Sequence, residues 1–206
     1  MGAEHVRASH ELAELDPVIA ALLERHGPMR VPARPAVDRR FASLARIIAH
    51  QQLAGRAAAT IWARVEELVE DGFSAAAVLS LDPIDLRAAG LSGAKTASLI
   101  DLAHSVDEGR LDLRGLGRLR DSEVIERLVA IRGIGPWSAQ MFLMHDLGRL
   151  DVWPTGDLGV RVGYARAFGT GDVPDPRHLE VLGEKYRPHR SVLAWYCWRA
   201  ADDHGL

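Results

Sequence analysis

The fifteen residues from Leu128 to Phe142, LVAIRGIGPWSAQMF, set two glycines, Gly133 and Gly135, between stretches that otherwise read as helix. A glycine just past a helix end reaches left-handed backbone without a Cβ penalty, so Gly133 is expected to stop the first helix. Gly135 then lets the chain turn with no side chain in the way. Pro136 takes the favoured first position of the next helix and gives up an amide that has no intrahelical partner there. The segment predicts a tight helix–hairpin–helix over about residues 122–147. Amides at a helix start point outward at its positive end and suit one phosphate with no basic side chain. Glycine-containing corners also occur as plain αα turns, so the surroundings of this one decide its meaning.

Those surroundings are helical. HELAELDPVIAALLERHG places Leu12, Leu15, Ile19, Leu22 and Leu23 on one face and stops at Gly27. DRRFASLARIIAHQQLAG carries Phe41, Leu44, Ile47 and Ile48 behind an Asp38 start, and GRAAATIWARVEELVEDG carries Ala58, Ile61, Trp62, Val65 and Val69 up to Gly72. Short helices are predicted at 74–80 and 83–89. AKTASLIDLAHSVDEG offers Ala97, Ile100, Leu102 and Val106. A glycine-broken connector follows, with four arginines from Arg110 to Arg120. DSEVIERLVAI opens on an Asp121 or Ser122 cap, and DLGVRVGYARAFG starts near Asp157. PRHLEVLGEKY and HRSVLAWYCWRAADDHG complete the chain. No segment alternates as a strand. The expected fold is all-α, ten or eleven helices in one two-lobed unit spanning 1–206, with a cleft between the lobes and no repeat.

The 206 residues suffice for a sizeable core. The single cysteine, Cys197, excludes a disulfide framework, a four-cysteine zinc site and an iron–sulfur cluster within the chain. Among the aromatics of AWYCWRA it reads as a core residue. MGAEHVRASHEL has no apolar signal core, and no run approaches the ~18 apolar residues of a membrane span. A cytoplasmic protein without membrane contact is expected. The net charge of −3 argues against coating nucleic acid by bulk charge, and leaves room for a site built from backbone amides. Only two lysines are present, Lys95 and Lys185.

AIRGIGPWSAQMF followed by DVWPTGDLGVR resembles the helix–hairpin–helix DNA glycosylases, and within them the 3-methyladenine DNA glycosylase II branch. IIAHQQLAGRAAATIWARV, AGLSGAKTASLIDLA and RPHRSVLAWYCWRA are similar to further family segments, in the expected order, from about residue 10 to 204. The resemblance implies the compact form, without the N-terminal β-domain of some members, and a bacterial cytosolic enzyme. Its partner would be duplex DNA carrying a damaged base, bound by a monomer.

It also implies roles. The catalytic aspartate falls on Asp157, in PTGD, twenty positions after Trp137. Cleaving an N-glycosidic bond builds positive charge on the sugar, and one fixed carboxylate stabilises it and orients water. Without the family, a helix cap is the plainer reading of Asp157, and both roles are compatible. Asp151, the rival carboxylate, reads as a loop or cap residue. In lyase-type members a lysine occupies the hairpin position held here by Trp137, so the resemblance implies hydrolysis by water without strand cleavage. Trp137, Trp153 and His50 are the candidate walls of a base pocket, where an aromatic face attracts a cationic alkylated base by about 0.5–2 kcal/mol. Trp62, Trp195 and Trp198 read as core. His50 serves equally well as a capping or core residue.

A flipped base leaves a gap that a wedge side chain fills. The family wedge lies in HQQLAG, where alignment favours Gln52 and apolar character favours Leu53. Gly133, Gly135 and Ser138 are the expected phosphate contacts. The family hairpin also holds Na+ or K+ through backbone carbonyls, here those of Val129, Ile131 and Ile134, and needs no other cofactor. The implied activity is release of alkylated purines of the 3-methyladenine and 7-methylguanine type. A non-catalytic helix–hairpin–helix binder of damaged DNA is the main alternative. A branch acting on mismatched adenine or oxidised bases lacks its cysteine cluster and hairpin lysine here. A helical adaptor leaves the hairpin without a purpose.

Overall fold

The structure is a computed structural model that describes residues 2–31, 35–53, 55–70 and 72–203. These residues form twelve α-helices and three short 3₁₀ turns, with no strand among them. In chain order the helices are α1 (Gly2–Leu15), α2 (Pro17–His26), α3 (Arg40–His50), α4 (Gly55–Glu66), α5 (Ala75–Leu79) and α6 (Pro83–Ala88). Then come α7 (Gly93–Asp107), α8 (Asp121–Val129), α9 (Pro136–His145), α10 (Leu158–Phe168), α11 (Pro176–Gly183) and α12 (Arg190–Asp202). They fall into two compact units, one made of Met1–Arg34 with Leu147–Leu206, the other of Pro35–Asp146.

In the unit made of both chain ends, α10 packs on α12. The contact is close because Gly163 has no side chain: a Cβ there would fall on the carbonyl of Cys197. Cys197 is fully buried, as its aromatic neighbourhood in the sequence suggested, and burial pushes its thiol up. The leucine-rich N-terminal stretch is two helices and not one. Asp16 stops α1, caps α2 by accepting from Val18 N at 2.9 Å, and accepts from Tyr186 Oη at 2.7 Å and Lys185 Nζ at 2.9 Å. Pro17 stands at the first position of α2. Leu15, expected in the core, is consequently 55% exposed.

In the contiguous unit, α3 buries Phe41, Leu44, Ala45 and Ile48. Trp62 on α4 is buried edge-on to Phe73. Three local expectations are corrected. The helix α4 ends at Glu66, short of Gly72. The buried line of α7 runs through Thr96, Leu99, Leu102 and Ala103, so Ala97 and Ile100 sit to its side, because small apolar residues surround that helix and blur its face. Arg120, and not Asp121 or Ser122, holds the cap position of α8, where its amide donates to Glu123 Oε2 at 2.9 Å.

Asp146, immediately after α9, is the buried carboxyl of this unit at 4% exposure. Burial pushes its pKa up from 3.8 to about 6, against the opposing pull of a Ser43 hydrogen bond and the Arg40 charge. Below pH 3.8 both folded and unfolded chains carry the proton, and the group contributes nothing. Between the two values only the unfolded chain is ionised, so stability falls as pH rises. Above about 6 the full cost, about 3 kcal/mol, is present. Asp146→Asn is therefore expected to stabilise the protein at pH 8 by about 1–3 kcal/mol, with the gain narrowing about threefold at pH 4.5. Urea denaturation of both chains at the two pH values measures it; an equal gain at both would place the effect elsewhere.

Candidate active site

The segment between α8 and α9 forms the tight hairpin read from the sequence. It is fastened from both sides: Arg132 N donates to Asp101 Oδ2 at 2.8 Å, and Ile131 and Ile134 are buried. The two glycines have different duties. Gly133 lies at φ 77°, and a Cβ there would fall on Ser98 Oγ. It follows the end of α8 at a distance; the capping position itself is Ala130. Gly135, at φ −91°, caps α9 and faces open space. No acceptor among the described residues takes the amides of Gly133, Gly135 or Ser138, and these amides stand at the positive end of a ten-residue helix.

The loop between α3 and α4 leans on this hairpin. Gln51 Nε2 donates to Gly133 O and to Ser138 Oγ, both at 2.9 Å. Lys95, on α7, donates to the carbonyls of Ala49 at 2.8 Å and Gln51 at 2.6 Å. The next two residues are exposed, Leu53 by 40%. Gln52 has φ 55°, a left-handed conformation costly for a residue with a side chain.

In the other unit, Asp157 caps α10. Its Oδ1 accepts from Val160 N at 2.9 Å and from the indole of Trp198 at 3.1 Å. Gly159 makes room, since a Cβ there would stand 3.0 Å from Trp198 and 3.1 Å from Asp157 Oδ1. The carboxylate is half-buried, held by two donors on one oxygen. The loop leading to it is braced by Asp151, which accepts from Arg190 Nε at 2.7 Å and Arg187 Nη1 at 2.8 Å. Arg190 is itself 5% exposed and also reaches Glu180 and Glu184.

The family model of the HhH-GPD superfamily base excision DNA repair proteins matches residues 45–188. DNA-3-methyladenine glycosylase 1 of Schizosaccharomyces pombe is 32% identical over 78% of this chain and 72% of its own length. This chain belongs to the HhH-GPD superfamily. Among solved structures, the S. pombe 3-methyladenine DNA glycosylase in complex with abasic DNA matches at TM-score 0.81 and 31% identity, over 94% of this chain and 95% of that one. A DNA-3-methyladenine glycosidase from Bacillus halodurans also matches at 0.81, with 34% identity over 92% and 87%.

Not every HhH-GPD position has the role expected of it. Trp153 is 5% exposed, donates its indole N–H to Leu179 O at 2.9 Å, and packs where Gly183 leaves room. It is a core residue, which corrects its reading as a pocket wall. The tryptophan that touches the carboxylate is Trp198, which the sequence had assigned to the core. Trp137, by contrast, is 42% exposed on the first turn of α9. Ser138 is 3% exposed, and its hydroxyl accepts from Gln51, so its side chain serves the loop, while its amide has no acceptor among the described residues. His50 ends α3 half-buried; burial and the Arg46 and Lys95 charges hold its pKa below the usual value. Asp151 is structural, as expected.

Gln51 and Lys95 were missed, since no local pattern marks partners 44 to 87 residues apart. The unequal glycines predict unequal mutants. Gly133→Ala should lower the unfolding midpoint by about 4–10 °C, through left-handed strain and collision with Ser98. Gly135→Ala should change it by less than about 3 °C. Thermal unfolding of both variants measures this, and similar losses would mean that the glycines do the same work.

Proposed function

We propose that the protein is a base excision repair glycosylase that releases alkylated purines from duplex DNA by hydrolysis. The observation that carries this is the Asp157 carboxylate, fixed at a helix start by Val160 N and the Trp198 indole. A fixed anion gains most as the sugar becomes cationic, because its orientation is already set before the charge develops. A protein that only binds DNA would use this carboxylate as a helix cap alone.

The hairpin amides take a DNA phosphate, which explains binding by a chain of net charge −3. Trp137 offers an aromatic face to a base made cationic by alkylation at N3 or N7. The damaged base leaves the stack at reduced cost, since it pairs and stacks less well. A monomer suffices for this chemistry. Na+ or K+ at the hairpin belongs to the same reading: the carbonyls of Val129 and Ile134 accept no hydrogen bond from the described residues, and that of Ile131 accepts one, from Ile134 N. Such oxygens suit an alkali cation, which when bound would add positive charge beside a phosphate.

Strand cleavage requires an amine that forms a Schiff base with the opened sugar. Trp137 stands at the hairpin position that would supply one. Both lysine amines have carbonyl or carboxylate partners, Lys95 on Ala49 and Gln51, Lys185 on Asp16. The proposal is hydrolysis without lyase activity.

Asp157→Asn should lower single-turnover base release at least about 100-fold while leaving duplex affinity within a fewfold. Activity near wild type would end the catalytic assignment. Borohydride should trap no covalent adduct on damaged DNA. Efficient trapping that disappears in Lys95→Ala or Lys185→Ala would establish an amine mechanism instead.

A further inference from the structure

The loop Gln51–Leu53 is more firmly held than its exposure suggests. Lys95 clamps the entry of the loop at two carbonyls two residues apart, those of Ala49 in the last turn of α3 and of Gln51 just past it. The amine is drawn partly out of water to do so, and burial lowers its pKa. Gln51 spends both amide hydrogens on the hairpin, one on the carbonyl of Gly133 and one on the hydroxyl of Ser138. Gly133 is itself locked against Ser98 of α7, the helix that carries Lys95. Immediately beyond these bonds the chain adopts the left-handed conformation at Gln52 and presents Leu53 to solvent. A strained non-glycine residue persists only where its surroundings over-determine it. Here the surroundings are four hydrogen bonds from two side chains.

We propose that Gln51 and Lys95 are positioning residues that set the inserting loop at a fixed height above the phosphate-binding hairpin. This rests on the glycosylase reading given above. Once the hairpin amides grip a phosphate, the loop tip is already placed relative to the duplex, so binding and insertion are one event. Without the tether the hairpin still grips, but the tip no longer arrives preorganised, and the cost of ordering it falls on base extrusion. The effect should therefore be largest where a paired, stacked base must be displaced, and smallest where little stacking remains to break.

The test compares the wild-type chain with Gln51→Ala, Lys95→Met and Lys95→Arg on two duplexes carrying 7-methylguanine, one opposite cytosine and one opposite an abasic analogue. A 2-aminopurine neighbour reports unstacking. Gln51→Ala and Lys95→Met should release base from the paired duplex at least tenfold more slowly. They should bind it within about threefold of wild type and lose most of the 2-aminopurine signal. On the duplex lacking the opposite base, the rate loss should shrink to about threefold or less. Lys95→Arg, which keeps the donors, should recover most of the activity. Equal losses on both duplexes, wild-type rates in both variants, or failure of Lys95→Arg to recover would overturn the proposal. Should Gln51→Ala not fold at the assay temperature, the two Lys95 variants decide. The fluorescence signal needs no base release: a wild-type chain that unstacks the neighbour without releasing base would refute the glycosylase reading and leave the tether to be judged by the signal alone.

Discussion

The candidate chemistry depends on how closely α10 and α12 approach. Gly163 stands where any side chain would meet the carbonyl of Cys197, and Gly159, one turn earlier, gives Trp198 its place. Two glycines four residues apart lie on one face of a helix, so a single stripe of backbone meets α12. The indole of Trp198 can then reach the carboxylate that caps the helix. A cap is ordinarily a stability device worth about 1 kcal/mol. Here the capping aspartate keeps its backbone bond to Val160 and gains a second donor on the same oxygen. The cap reading of Asp157 and the proposed catalytic one are thus compatible in a single arrangement, since the two donors that hold the cap at the start of α10 also fix the carboxylate.

A similar economy of charge governs the hairpin. Net charge −3 is a poor basis for binding a polyanion through bulk attraction. In the proposed function the amides at the start of α9 that have no acceptor among the described residues are the local positive site, and they need no arginine. Gly133 makes the turn possible and lends its carbonyl to Gln51, while Gly135 leaves space beside the helix start. The loop, the hairpin and α7 are therefore one mechanical piece, with the scarce lysine Lys95 at its centre.

Much of this is local enough to read from the chain. Pro136 and the two glycines announce the hairpin because they act on their own backbone. Asp157 is legible as a cap from its place before a helical run, and as an acid through family resemblance. The errors have a common cause. Trp153, read as a pocket wall, donates to Leu179 O, and Trp198, read as core, donates to a carboxylate, because an indole's duty depends on its partner. Sequence spacing carries no trace of either. Gln51 and Lys95 escaped notice because their acceptors are mostly backbone carbonyls, which every residue has. The split of the N-terminal stretch at Asp16 was readable from Asp-Pro, but the leucine periodicity on both sides hid it.

The central claim is that a helix-start carboxylate in this chain cleaves the bond between an alkylated purine and its sugar. Incubating the wild-type chain with methylated duplex DNA, and identifying the released material by chromatography and mass spectrometry, tests it most directly. Free 3-methyladenine or 7-methylguanine should accumulate, with the strand left intact at an abasic site until alkali is added. DNA that is bound yet retains all of its methylated bases would contradict it.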